Sequence, residues 1–145
     1  MKNNLTHIQI VVFLHVLDIL KNDKNKNARK KIYELYIDKK FEKNVLLDKK
    51  TKSLIEQLNG DFDEISFLTE QFDLHDLLFQ LYSDTIRRVW IILENSVERE
   101  KNERKKSDPA GNQFGNHFAE LALKAKKYRE KNFLQEPGFT DLRKF

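Results

Sequence analysis

The sequence predicts an all-α fold: a single-domain bundle of about five helices, with a long central helix carrying Trp90. Three observations point there. Only two prolines and four glycines punctuate 145 residues, whereas a β-sandwich or barrel needs turn chemistry every ~8–12 residues. Charged residues make up 34% of the chain, against roughly 25% in an average globular domain, and long helices with solvated faces absorb such an excess. Apolar residues also recur at spacings of three and four through most of the sequence. The length suits one hydrophobic core, with residues 1–131 as the bundle domain and 132–145 as a C-terminal tail, flexible or packed back on the bundle.

The first segment, Leu5 to Leu20, is apolar apart from Thr6, His7, Gln9, His15 and Asp18. Ile8, Ile10, Val12, Leu14 and Val16 alternate as a strand would, but the run fits a helix whose only polar strip is His7, His15 and Asp18, within an arc of about 80°. Asp18 interrupts the run before the ~20 apolar residues of a membrane span are reached. A monomer rarely leaves so apolar a helix in water, so it is expected to be buried against the central helix or against a second subunit.

After a polar linker, Lys21 to Asn27, the segment Ala28 to Phe41 gathers Ala28, Ile32, Tyr33, Leu35, Tyr36 and Ile37 on one half of a helical wheel. The next helix, Thr51 to Phe72, carries Leu54, Leu58, Phe62, Ile65, Leu68 and Phe72, with Gly60 a weak point of about 1 kcal/mol. The strongest stripe follows: Tyr82, Ile86, Val89, Trp90, Leu93 and Val97 share an arc of about 100°. A polar run continues to Lys105, so this helix is expected to project as a charged stalk. Asp108 before Pro109 suits an N-cap, placing the last helix start between Asp108 and Asn112, with the stripe Phe114, Phe118, Leu121, Ala122, Ala125 and Tyr128. A Pro137-Gly138 turn lies in the tail, among Phe133, Leu134, Phe139, Leu142 and Phe145. The expected structural core is Leu54, Leu58, Ile65, Ile86, Val89, Trp90, Leu93, Phe118 and Leu121.

The absence of cysteine removes disulfides and thiolate metal sites, and a cytoplasmic protein is expected. Glycine-rich phosphate loops, His-Glu-x-x-His, nucleophile elbows and calcium loops are missing, so no catalytic, cofactor or metal site is expected. His7, His15 and Asp18 have the chemistry of zinc ligands, but His7 stands about 12 Å along the helix from His15. The strip reads instead as a water-facing edge, or as His15 bonded to Asp18. Asp73, beside His75 and Asp76, suits a helix N-cap. Asp84, Arg87, Arg88, Glu94, Glu98 and Arg99 read as surface pairs, or as an anion site.

Charge is segregated. Residues 21–52 hold 12 Lys/Arg against 5 Asp/Glu, residues 53–98 hold 2 against 10, and residues 99–145 hold 12 against 7. The basic flanks could neutralise phosphates, although their lysines are interleaved with acids.

The order of residues resembles the domain of unknown function 4760 family of small helical proteins. The likeness spans about residues 27–129. It rests on Asn27-Ala28-Arg29-Lys30-Lys31-Ile32-Tyr33, on Leu58-Asn59 with Phe62-Asp63 and Ile65, on Arg88-Val89-Trp90 and Glu98-Arg99, and on Phe114 to Phe118 with Leu121-Ala122. The family pattern has a glycine after its third helix, where this chain reads Gln71-Phe72-Asp73. The resemblance implies a helical fold and no known activity. The functional expectation is a non-enzymatic interaction or regulatory module with a protein partner or a second copy of itself. The alternatives are a nucleic-acid-associated protein using the basic flanks and, less favoured, a membrane-surface accessory protein.

Overall fold

The computed structural model describes residues 4–42, 45–109 and 113–139. Five helices follow one another: α1 (His7–Lys21), α2 (Asp23–Ile37), α3 (Lys49–Gln71), α4 (His75–Ser107) and α5 (Asn116–Lys131). No strand occurs among the described residues. α3 packs against all four other helices, and α4 against α2, α3 and α5.

α1 starts at a capping box. The Thr6 hydroxyl accepts the Gln9 N–H, and the Gln9 side chain accepts the Thr6 N–H, satisfying two donors that helix formation would strand. The same Gln9 amide donates to the Phe72 carbonyl at 2.9 Å, which seats the start of α1 on the end of α3. The expected linker Lys21 to Asn27 is corrected to a single residue. Asn22 ends α1 and caps α2 by accepting the Asn25 N–H. Asn25 is itself buried and donates to Asp61 at 2.8 Å. Arg29 closes the corner by donating to Asn25 Oδ1 and to the Leu20 carbonyl. Polar residues form this turn of helix, so apolar periodicity cannot reveal it.

Three helices end in the same way. Lys39, Asp73 and Phe133 have φ of 60°, 54° and 58°, the left-handed conformation that glycine adopts at least cost. The third residue beyond each helix then donates its N–H back into the last turn: Lys40 to Leu35, Leu74 to Thr69 and Leu134 to Arg129. These are Schellman motifs without glycine. At the end of α3 the left-handed position falls on aspartate, which tolerates that φ better than most residues do. The expected N-cap role of Asp73 is thereby corrected. Leu74 takes the cap position of α4, with no side-chain hydrogen bond.

α3 runs through Gly60 without a break. Its buried face carries Thr51, Ile55, Leu58, Asn59, Phe62, Ile65, Ser66 and Thr69. That face is turned by about 60° from the all-apolar stripe, because the polar residues Thr51, Asn59, Ser66 and Thr69 are buried on it. The expectation for Leu54 is corrected accordingly: it lies at the edge of the face and is half-buried. Trp90 is corrected likewise. It stands at the margin of the α4 stripe and is half-buried, edge-on to Phe118 with ring centroids 5.0 Å apart. Leu58, Ile65, Ile86, Val89, Leu93, Phe118 and Leu121 are fully buried. Phe118 also stacks on Phe62 at 4.7 Å.

The final helix begins later than expected, at Asn116. Asp108 is the C-cap of α4, and residues 110–112 lie outside the described residues. Gly115 supplies the left-handed turn (φ 77°) that starts α5. A Cβ there would collide with Val97 Cγ1. No side chain of the local chain caps α5. The Asp63 carboxylate of α3 does so instead, accepting the Phe118 N–H at 2.8 Å. Burial pushes the Asp63 carboxyl up, against the pull of that hydrogen bond and of His117 and Asn59. The stalk of α4 is held at its side: Lys101 donates to Asn116, Arg104 pairs with Glu100 and Glu56, and its guanidinium lies 4.2 Å from the centre of the Phe114 ring.

Candidate interaction surface

α1 divides into two apolar faces. Phe13, Val16, Ile19 and Leu20 are buried against the bundle, where α2 and α3 receive the helix. The opposite face stays in water. Leu5, Ile8, Ile10, Val11 and Leu14 are 40, 61, 45, 52 and 60% exposed. The expectation that α1 is buried against the central helix is corrected: it packs on α2 and α3 and is covered over one half of its circumference. The expected polar strip, His7, His15 and Asp18, is exposed and runs through the middle of the apolar outward face. His15 does not bond Asp18. Its Nε2 lies 3.0 Å from Glu64 Oε2 of α3, so the outward face is braced from one side. Phe67, 56% exposed, stands one turn further along α3.

Of the arginines expected on the surface, Arg99 is exposed but two are interior. Arg87 and Arg88 are buried, and they hold the segment after α5. Arg87 donates from Nε and Nη2 to the two Glu136 carboxylate oxygens at 2.9 and 2.6 Å, and from Nη1 to the Ala122 carbonyl. Arg88 donates to the Gly138 carbonyl and reaches Asp84 at 3.4 Å. Arg129 donates twice to the Gln135 carbonyl and once to the Ser83 hydroxyl. Pro137 is buried and the Phe139 ring meets Tyr36 at 4.9 Å. Residues 135–139 are thus packed back on the bundle, while Phe133 and Leu134 are exposed and Leu142 and Phe145 lie outside the described residues. The Arg87 guanidinium holds the Glu136 carboxyl below the usual range. These charges are saturated by protein groups and serve to fix the tail.

A second ionic cluster joins the α3–α4 corner to α5. Lys124 donates to Glu70 at 2.7 Å and lies 3.5 Å from Glu120. His75 Nε2 is 3.5 Å from Glu70 and its ring stacks on Phe79. Burial, then the Lys124 charge, pulls the His75 imidazole down, whereas Lys124 draws Glu70 down and is itself drawn up. An open cleft of about 270 Å³ beside this cluster is lined by Ser66, Phe67, His117 and Glu120 among others. Two further open clefts lie at Tyr36–Phe139, about 380 Å³, and between Trp90 and Gly115, about 370 Å³.

Among the described residues, no group of three or more His, Asp or Glu side chains is placed to hold a metal ion. No described helix is long and apolar enough to cross a membrane. What stands out chemically is the outward half of α1, a concentration of large apolar side chains around a histidine–aspartate strip. No family model, no curated protein and no solved structure matches this chain.

Proposed function

We propose that the chain is a non-enzymatic helical interaction module whose contact surface is the outward face of α1. The observation that carries this reading is the exposure of Ile8, Ile10, Val11 and Leu14 on one short helix, with Leu5 exposed just before its cap. Contiguous apolar patches beyond a few hundred Å² are uncommon on monomeric proteins and mark contact sites. Large aliphatic groups flank a polar strip whose side chains can fix the register of a contact. The bundle supplies a rigid support, since α1 is capped at Thr6, tied to Phe72 and braced through Glu64. The resemblance to the domain of unknown function 4760 family belongs to the same proposal. It supports a helical module and supplies no activity.

The test is a surface variant, Leu14→Asp, whose side chain points away from the core. Its melting temperature should stay within about 3 °C of the parent. Bound protein recovered by chemical cross-linking in the native host, or self-association of the purified chain, should be lost. Unchanged bound proteins together with an unchanged solution mass would overturn the reading. Binding of DNA, RNA or anionic vesicles that Leu14→Asp leaves intact would overturn it in favour of the basic flanks or a membrane surface.

A further inference from the structure

Resting on that reading, we infer that the outward face of α1 pairs with the same face of a second copy of this chain, as an antiparallel two-fold dimer. The outward stripe is His7, Val11, Leu14 and Asp18, at successive spacings of four, three and four residues. That spacing keeps the four side chains within an arc of about 60°, and it is the seam spacing of paired helices. The spacing is also symmetric about its midpoint. Antiparallel pairing sets Val11 against Leu14 of the second copy twice, and His7 against Asp18 of the second copy twice, so an apolar centre is flanked by two complementary polar pairs. A neutral imidazole has one N–H to donate to a carboxylate, and a protonated one has two, so each end is satisfied in either form.

The flanks agree with this register. Ile10 falls beside Leu17 of the second copy on one side, and Ile8 beside His15 of the second copy on the other. Parallel pairing would place Asp18 on Asp18, a like-charge contact, and a register centred on Val11 would oppose His7 to His15 and strand Asp18. A two-fold interface uses one self-complementary patch on both subunits, and this stripe is such a patch.

The native chain contains no cysteine, so introduced thiols report position without background. His7→Cys and Asp18→Cys chains, mixed and oxidised, should give a cross-linked dimer. In that mixed pair, one His7–Asp18 contact stays intact. Each variant alone should cross-link at least tenfold more slowly, because its two thiols lie about 16 Å apart along the helices. Charge provides an independent arm by light scattering at tens of micromolar. His7→Asp should raise the dimer Kd at least tenfold, and adding Asp18→His should return it to within threefold. Cross-linking of either single variant as fast as the mixture, or no rescue by the exchange, overturns the register. A full-length chain that stays at 17.4 kDa at 200 µM in roughly 0.15 M salt overturns the dimer. In that event, loss of another bound protein in Leu14→Asp leaves the module reading standing, and no such loss ends both.

Discussion

Replacing Glu136 with glutamine tests whether the arginine pair of α4 holds the end of the chain. Arg87 is 8% exposed and Glu136 42%, so the buried partner keeps its charge while its neutraliser is removed. Glutamine retains one acceptor oxygen but turns an N–H₂ group toward the guanidinium. The change therefore removes one of two charge-assisted hydrogen bonds, worth about 1.5–3 kcal/mol, together with a counter-charge. Breaking a fully buried pair costs about 3–5 kcal/mol, and the solvent at Glu136 screens part of that. A loss of about 2 kcal/mol at pH 7 is expected, measured by urea unfolding with circular dichroism and Trp90 emission. The pH dependence follows from linkage. The folded pKa of Glu136 lies below its ordinary value of 4.5, so the stabilisation is fully present above pH 4.5 and is lost as pH falls through the folded pKa. Parent and variant should converge in that acidic range. Equal stability at pH 7, or a difference that persists undiminished at pH 2, would refute the role assigned to the pair.

Three further outcomes follow from backbone and burial. Gly115→Ala should destabilise by about 2–4 kcal/mol by chemical denaturation, since a left-handed φ and a collision with Val97 combine; a loss below about 1 kcal/mol would contradict the turn. Phe133→Gly should stabilise by about 0.5–1 kcal/mol, because the ring is 95% exposed and the left-handed strain is removed; the check is a rise of about 2–4 °C in Tm. The His75 pKa is lowered from 6.5 in the folded chain, so its contribution is present above pH 6.5 and is lost as pH falls through the folded value. That decline should be absent from His75→Gln, and a decline of the same size in both proteins would show that His75 is not its source.

The helical architecture was legible because α4 and α5 show their stripes in apolar residues, and turn chemistry is too scarce for a sheet. Features built from polar or long-range contacts were not legible. The corner at Asn22 depends on Asn25 meeting Asp61, 36 residues away, and periodicity cannot register a buried asparagine. The three left-handed helix ends fall on lysine, aspartate and phenylalanine, of which only aspartate favours that conformation more than most. The capping box at Thr6-x-x-Gln9, which marks the start of α1, was passed over because both residues read as polar interruptions of an apolar run. Arg87 and Arg88 looked like surface residues because their partners, Glu136 and the Gly138 carbonyl, lie about 50 residues downstream. The outward stripe of α1 is a different case. Its residues were visible, yet which half of an apolar helix faces the bundle is decided only when α2 and α3 have packed.

That outward half is tested most directly by sedimentation equilibrium of the full chain beside Leu14→Asp, at matched concentrations from 5 to 200 µM in roughly 0.15 M salt. The account predicts that the parent approaches twice the 17.4 kDa chain mass as concentration rises, while the variant stays at 17.4 kDa with the same helicity. A parent and a variant with superimposable mass curves would contradict it.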